Sequence, residues 1–474
     1  MNSLLGLNRP FPISKALQKL VTAVHHAGGR SVAVGGCVRD HLLGYAPKDI
    51  DIEVYNLSLS VLEQTLRKIG TVHAVGQSFG VLKVKLSEEE GSVTFDVSLP
   101  RTENKKGRGH KGFVVATDPD LPFTKAAARR DFTVNAMGFD LRTEELLDPH
   151  HGSIDLHHGL LKHVSDAFDE DPLRVLRACQ FASRFQMTLD KSTIEKCKNL
   201  NAELSTLPKE RIFEEMKKLL LGPRPSKGLA TLAITNAISL FPELSALMNC
   251  PQDPIWHPEG DVWVHTLMVV DEAAKIVRRE HLDANQSLII MLGALCHDLG
   301  KPGTTQQEGD RVRSKNHEAA GEIPTRNFLT KMGTPHEMIE AVVPLVREHL
   351  KPCQLHKVRD EISDSTIKRL ANRVCIEQLC HVAEADFLGR TTEDAKTGID
   401  PSVLWLKKEA ERLSVTKEGP SAILMGRHLL DLKIAPGPKM GKILHAAYEA
   451  QLDGEFADLE NALAWLKLYE SKSN

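Results

Sequence analysis

Two aspartates, Asp49 and Asp51, flank Ile50 in the segment SVAVGGCVRDHLLGYAPKDIDIEVY. On a strand the side chains alternate, so both carboxylates take one face and Ile50 the other. Paired hard oxygen ligands of this kind suit Mg²⁺, which is usually held by one or two carboxylates together with substrate phosphates. Such ions activate an attacking 3′-hydroxyl and stabilise a leaving pyrophosphate. Upstream, Gly35 and Gly36 end a short apolar strand and precede a helical stretch from Val38 to Leu43. Small residues there let backbone N–H groups approach a triphosphate. Either feature alone is weak. Joined as G-G-x-x-R-D (Gly35, Gly36, Arg39, Asp40), with the D-x-D nine residues after Asp40, the combination is specific. Asp96, in VTFDVSL, alternates away from Phe95 and Val97. It reads either as a third carboxylate of this cluster or as an ordinary strand acid.

The elements that must position these groups are mixed α/β over residues 1–150. SVAVGG is a buried strand, IDIEVY alternates, and VLKVKL and VTFDVSL form a strand pair. From about Asp166 onward helical periodicity takes over. Val175, Ala178, Cys179, Ala182 and Phe185 recur on one helix face. Asp171, Arg174 and Arg177, at i, i+3 and i+6, make a polar stripe on another. Asp171 before Pro172 is equally a good helix cap with proline at the first position. The rest is helical, broken by proline-bearing loops at LGPRPSKG, NCPQDPIWHPEG and IAPGPKMG. The expected division is a mixed α/β head (1–150) followed by helical segments over 151–225, 226–258, 259–395 and 396–474.

A chain of 474 residues with 41% hydrophobic and 26% charged content is an ordinary globular protein of several domains. Its net charge of −3 excludes a global basic field, so any nucleic-acid contact rests on local patches. The clearest patch is Arg101, Lys105, Lys106, Arg108, His110 and Lys111, interleaved with glycines, which reads as a solvated loop or as an RNA contact. The eight cysteines include no C-x-x-C pair, which argues against a zinc ribbon or a disulfide framework. No signal-peptide pattern opens the chain. The longest apolar run, Leu288 to Cys296, falls far short of the ~20 residues that span a bilayer. The expected location is the cytoplasm, without a membrane partner.

The head motifs resemble the polymerase-β-like nucleotidyltransferases and, within them, the class II tRNA nucleotidyltransferase and bacterial poly(A) polymerase family. The likeness continues through Arg129-Arg130-Asp131-Phe132-Thr133-Val134-Asn135-Ala136, Asp148-Pro149 with Gly152, Glu170-Asp171-Pro172-Leu173-Arg174, and Glu210-Arg211-Ile212 with Glu215. It implies a polymerase-β-like α/β head followed by all-α domains. It also implies addition of CCA to tRNA from CTP and ATP, with no DNA partner and Mg²⁺ at Asp49 and Asp51. Nucleotide-binding roles fall on Gly35, Gly36, Arg39, Asp40, Arg130, Asp131, Asn135, Asp171, Arg174 and Arg177. In the family the E-D-x-x-R helix reads the base with protein side chains. Relatives that add only CC, only A, or poly(A) share every one of these motifs. Two positions depart from the pattern. Phe123–Ala128 reads FTKAAA where acids usually precede the paired arginines, and Gln180 stands where an arginine is frequent.

Farther on, His265, His297-Asp298 and Asp386 follow the H…HD…D order. This resembles the HD-domain metal phosphohydrolases, whose imidazoles and carboxylates hold a divalent ion that activates water. His317 and His349 lie at positions that complete a second metal site. The resemblance implies 2′,3′-cyclic phosphodiesterase, 2′-nucleotidase and phosphatase activities on RNA ends. A reading of another class makes the chain an RNA-end hydrolase with a non-catalytic RNA-binding head. The tail, with Arg427, Lys433, Lys439 and Lys442 around a Gly/Pro turn, is expected to contact tRNA or to cap the HD domain.

Overall fold

Apolar runs without alternation form the middle of the head sheet. Strands β1 (Arg30–Val34) and β2 (Asp51–Tyr55) bury almost every side chain because both of their faces are covered. Strands β3 (Thr71–Val75), β4 (Val81–Glu88) and β5 (Gly91–Ser98) extend the sheet on one side. In β4, Leu82, Val84 and Leu86 point inward while Lys83 and Lys85 face solvent. Strands β6 (Arg101–Lys105) and β7 (Phe113–Thr117) form a separate hairpin. Strands β8 (Gly138–Asp140) and β9 (Leu146–Leu147) complete a seven-stranded sheet in the order β3-β4-β5-β2-β1-β8-β9. Within this sheet, among the described residues, only β2 and β5 pair in parallel, and that register sets Asp51 beside Asp96. VLKVKL and VTFDVSL are indeed antiparallel neighbours. The computed structural model describes residues 9–47, 49–75, 81–88, 91–105 and 113–473. The chain divides after Leu240 into two compact units.

One expectation needs correction. Asp49 is not on the strand: β2 begins at Asp51, and Asp49 lies in a bend before it. The reason is the turn at the end of β1. Gly35 adopts φ 78° and the chain enters the helix Gly36–Leu42, so the antiparallel β1–β2 ladder stops at Ala33 opposite Ile52. A side chain at Gly35 would place its Cβ 2.7 Å from the Arg130 guanidinium, so the turn requires glycine on both counts.

In the rest of the first unit, the helix Leu173–Phe185 buries Val175, Ala178, Cys179 and Ala182 against Lys209–Leu220 and Pro225–Ile234. The second unit is built around Ala284–Cys296, in which every residue from Ser287 to Cys296 is buried. A helix apolar on all sides must be surrounded. Here Val262–Arg279, His336–Glu348 and Ile376–Leu388 surround it. A two-stranded hairpin, Thr305–Glu308 with Arg311–Ser314, interrupts the helices. The tail helices Gly426–Asp431, Pro438–Leu452 and Leu459–Ser473 enclose a small core of their own around Leu429, Ile443 and Leu466. No helix among the described residues is long and apolar enough to cross a membrane.

Candidate active sites

In the head, Asp51 and Asp96 are register partners on adjacent strands. Burial raises the pKa of Asp51. Arg130 pulls it back, and the neighbouring Asp96, Asp49 and Glu53 carboxylates push it up again. Asp49 and Asp96, both close enough to Asp51 to raise its pKa, supply with it the hard carboxylate oxygens that suit a divalent cation. Asp96 also takes Lys83 Nζ at 2.8 Å, so it is half of a surface ion pair as well as a neighbour of Asp51. Asp49, Asp51, Gly36 and Asp40 line a cleft of about 780 Å³ whose other wall carries Arg184, Lys217 and Lys218.

Behind this cleft the motif arginines and acids interlock. Arg39 is 4% exposed, donates from Nη1 to Asn135 Oδ1 at 2.5 Å and from Nη2 to Asp40 at 2.7 Å, and stacks 4.3 Å from the centre of the Phe185 ring. Asn135 in turn donates to Asp131 at 2.9 Å, and Arg177 donates to the same carboxylate at 2.8 Å. Burial alone raises the Asp131 pKa, but Arg177 and these hydrogen bonds leave it lowered and the acid ionised. Arg130 donates to Glu53 at 2.9 Å, and the Tyr55 hydroxyl donates to the other Glu53 oxygen at 2.8 Å. Glu53 is a functional neighbour that sequence reasoning missed. Its signal was present as one more step of the strand period after Asp49 and Asp51.

The polar stripe is also pinned. Asp171 Oδ1 accepts from Leu173 N at 3.1 Å, the capping bond expected of it, while Oδ2 takes Arg211 at 2.9 Å. Arg174 spans two backbone carbonyls, Ala167 and Arg129, at 2.6 Å each. Gln180 is buried and accepts from Arg184 at 3.4 Å. Of the basic patch, residues 106–112 lie outside the described residues. Arg427, Lys433, Lys439 and Lys442 of the tail are all exposed.

In the second unit, all six expected residues converge in the interior. His265, His297 and Asp386 offer ligand atoms within 4.8 Å of one another, as do Asp298, His317 and His349. Each helix brings its group to the same point. His265 sits in the first turn of Val262–Arg279, His297 and His349 follow the last turns of their helices, and Asp386 lies near the end of Ile376–Leu388. His297, His317 and His349 each donate from Nδ1 to a backbone carbonyl three residues back, at 2.8, 2.7 and 2.7 Å. That fixes the tautomer and turns Nε2 inward as a ligand.

The interior atoms fit a bound cation. His297 Nε2 and both Asp298 oxygens are buried and make no well-directed hydrogen bond, although His297 Nε2 lies 3.1 Å and Lys301 Nζ 2.7 Å from one of those oxygens and His317 Nε2 3.3 Å from the other. Leaving such atoms unsatisfied is costly unless a further group binds there. Burial tends to lower His297, yet Asp298 leaves its pKa raised. Burial pushes His349 down to about 3, reinforced by His317 and His297, so that imidazole is neutral. Burial would raise Asp386, but Arg390 and the histidines hold it well below the carboxylate range. Three groups escaped sequence reasoning. Glu259 lies 2.8 Å from His265 Nδ1 and 2.9 Å from His257, and nothing in HPEG marks it. Lys301 belonged to the HDLGK run, and Arg390 lies one helical turn beyond Asp386, so spacing was a usable signal for both. Gly300 allows the close packing, since a Cβ there would lie 2.0 Å from the His317 carbonyl oxygen.

Comparison with known proteins adds independent findings. Residues 32–162 match the poly(A) polymerase head domain, 186–248 the probable RNA- and SrmB-binding site of polymerase A, and 262–386 the HD domain. The multifunctional CCA protein of Xylella fastidiosa (strain 9a5c) is 36% identical over 371 residues, covering 76% of this chain and 84% of the relative. That of Stenotrophomonas maltophilia (strain K279a) is 37% identical, covering 75% and 85%. Among solved structures, the Bacillus stearothermophilus CCA-adding enzyme in complex with CTP superposes with TM-score 0.65 at 20% identity, covering 97% and 99%. The Thermotoga maritima CCA-adding enzyme complexed with tRNA gives 0.59 at 20% identity over 97% of both chains. These two structures share the fold.

Proposed function

This chain belongs to the multifunctional CCA protein family, and from that premise we propose that its head adds or repairs the 3′-terminal CCA of tRNA, using CTP and ATP without a nucleic-acid template. The observation that carries this reading is the register of Asp51 beside Asp96, with Asp49 in electrostatic reach at the wall of a basic-sided cleft. Asp49 and Asp51, with Asp96 beside them, would hold Mg²⁺, which when bound supplies charge for the triphosphate and favours attack by the tRNA 3′-oxygen. That oxygen bonds the α-phosphorus as its hydroxyl proton passes to solvent, the bond from the α-phosphorus to the α–β bridging oxygen breaks, and pyrophosphate leaves with that oxygen. Gly35 and Gly36 keep the cleft floor free of side chains, and Arg130, held by Glu53, stands at the same turn. Asp131 and Asn135 position Arg39 and Arg177.

Asp171 and Arg174 act as the template. Cytosine and adenine each present an amino donor beside an acceptor ring nitrogen, which a carboxylate and a guanidinium complement. Uracil and guanine reverse that pattern and leave charges facing the wrong partners. Both side chains are positioned by protein partners, Asp171 by Leu173 N and Arg211 and Arg174 by two carbonyls, and a base would engage the carboxylate lone pairs and guanidinium N–H groups that these leave over.

The second unit is an RNA-end phosphohydrolase acting on 2′,3′-cyclic phosphates, 2′-phosphates and phosphomonoesters. His265, His297, Asp298 and Asp386 would hold a divalent ion, with His317 and His349 completing a second position at Asp298; when bound, it activates water. In cyclic phosphate hydrolysis water's oxygen bonds phosphorus, one ring P–O bond breaks, and the departing ribose oxygen takes the proton. In this reading head (1–150), neck (151–225), linker (226–258), HD domain (259–395) and tRNA-contacting tail (396–474) serve one cytoplasmic task, maintenance of tRNA ends. The test is extension of tRNA ending at the discriminator base, at C and at CC, with each NTP alone and together. Stepwise C, C, A supports the reading. CC-only, A-only or poly(A) products replace it with that activity.

A further inference from the structure

The HD centre opens into a cavity of about 570 Å³, lined in part by His317, His349 and Asp386. That volume is in the range of pockets for drug-sized ligands and far exceeds what a phosphate group fills. The apolar and aromatic part of its lining is Trp256, Val312, Leu350 and Phe387. Trp256 is 54% exposed and sits on the loop that also carries His257 and Glu259. Several polar groups of the lining are already engaged, while His356 and Lys357 also reach it. Gln252 accepts from Lys301 at 2.6 Å, and Asp253 pairs with Arg311 at 2.9 Å. Asp394 and Asp400 accept from the backbone of Ala395 and Ser402. Next to the cluster the charge is reversed, because Lys301 and Arg390 lie against Asp298 and Asp386.

One end of the cavity therefore suits an anion and the other suits a flat apolar face. Resting on the phosphohydrolase reading, we infer that this cavity is a nucleobase subsite: it seats the terminal base of a nucleoside 2′- or 2′,3′-cyclic phosphate, stacked on Trp256, while the phosphate lies at the histidine–aspartate cluster. With Gln252, Asp253, Asp394 and Asp400 committed elsewhere and Trp256 presenting an exposed ring, the wall holds a base chiefly by its face. Stacking of that kind accepts all four bases and favours the larger purines. The HD centre thus selects for a nucleoside but not for a sequence, which matches an enzyme that must act on whatever base a damaged end exposes.

The test uses the full chain supplied with Mn²⁺. Hydrolysis of adenosine and uridine 2′,3′-cyclic phosphates is compared with that of base-free glycerol 1,2-cyclic phosphate, in wild type, Trp256→Ala and Trp256→Phe. The expected result is a kcat/KM ratio of base-bearing to base-free substrate that falls about tenfold in Trp256→Ala, through KM, and recovers in Trp256→Phe. An unchanged ratio overturns the proposal. Calorimetric titration with adenosine 2′-monophosphate gives a second readout independent of turnover. If no phosphoester is hydrolysed, the hydrolase reading fails, and the calorimetry alone decides the subsite: Trp256-dependent binding upholds it, and Trp256-independent or absent binding overturns it. A trinucleotide ending in the same cyclic phosphate separates the two sources of this chemistry. A lower KM than the mononucleotide assigns RNA ends, and a higher one assigns free nucleotides, each upholding the subsite only with the Trp256 dependence.

Discussion

The acids of the head and those of the HD centre solve opposite problems. Asp49 and Asp51 reach solvent at the open cleft and repel each other, although the packing around Asp51 already raises its pKa. Asp298 and Asp386 are 1% and 5% exposed and surrounded by histidines, Lys301 and Arg390. An exposed acidic pair suits a cation that arrives with a triphosphate and leaves with pyrophosphate. A buried set with tautomers fixed from behind suits a cation that stays. The difference teaches that the same chemistry of carboxylate and divalent ion is tuned by burial, because only the buried acids must be compensated whether or not substrate is present.

The largest expected effect that separates the two sites is on the buried side. His297→Ala combined with Asp298→Ala removes two ligands, so hydrolysis of 2′,3′-cyclic phosphates should fall by about 10³-fold or more while CCA addition changes less than about twofold. Loss of both activities at an unchanged melting temperature would break the comparison, since the sites would then be coupled.

A smaller effect is expected at the templating edge. Asp171→Ala or Arg174→Ala should reduce the kcat/KM preference for CTP and ATP over UTP and GTP by about 10- to 100-fold. The readout is all four NTPs on acceptors of matched length. Unaltered preference ratios would leave Asp171 as a helix cap and nothing more.

Smaller still is the effect of Glu259, whose carboxylate backs His265 Nδ1. Glu259→Gln should weaken divalent metal binding by the full-length protein about tenfold, measured by competition with a metallochromic chelator. Asp51→Asn should leave that tight binding untouched. Equal loss in both variants would erase the distinction between a resident and a visiting ion. Leu292→Ala, in the fully buried helix beneath the centre, should lower stability by about 2–5 kcal/mol without altering NTP selection.

Much of this was legible in the chain because local period and short motifs carry it. The Asp49–Asp51 spacing, the strand pair that holds Asp96 and the order of the HD ligands are all local signals. The structure adds what depends on distant partners. Arg39, expected at the nucleotide, is stacked on Phe185 and bonded to Asn135, contacts that no local pattern encodes. Asp49 left the strand because the ladder ends where Gly35 turns, a property of the neighbouring strand rather than of its own segment. Glu53 lies one strand step beyond Asp51, a local signal, but its burial was not readable from the segment, since an acid within a strand ordinarily marks the solvent face. Glu259 reaches His265 only because the loop from Cys250 folds back on the helix it precedes, with Val262 N donating to Cys250 O at 3.0 Å.

The central claim is that the open acid pair drives templateless addition, and Asp51→Asn tests it most directly. With tRNA ending at the discriminator base, CTP and ATP, the wild type should extend by three nucleotides. The variant should be slower by about 10³-fold with tRNA affinity unchanged, measured on the same preparation, and with cyclic phosphate hydrolysis intact. Extension by Asp51→Asn at a near wild-type rate would contradict the account.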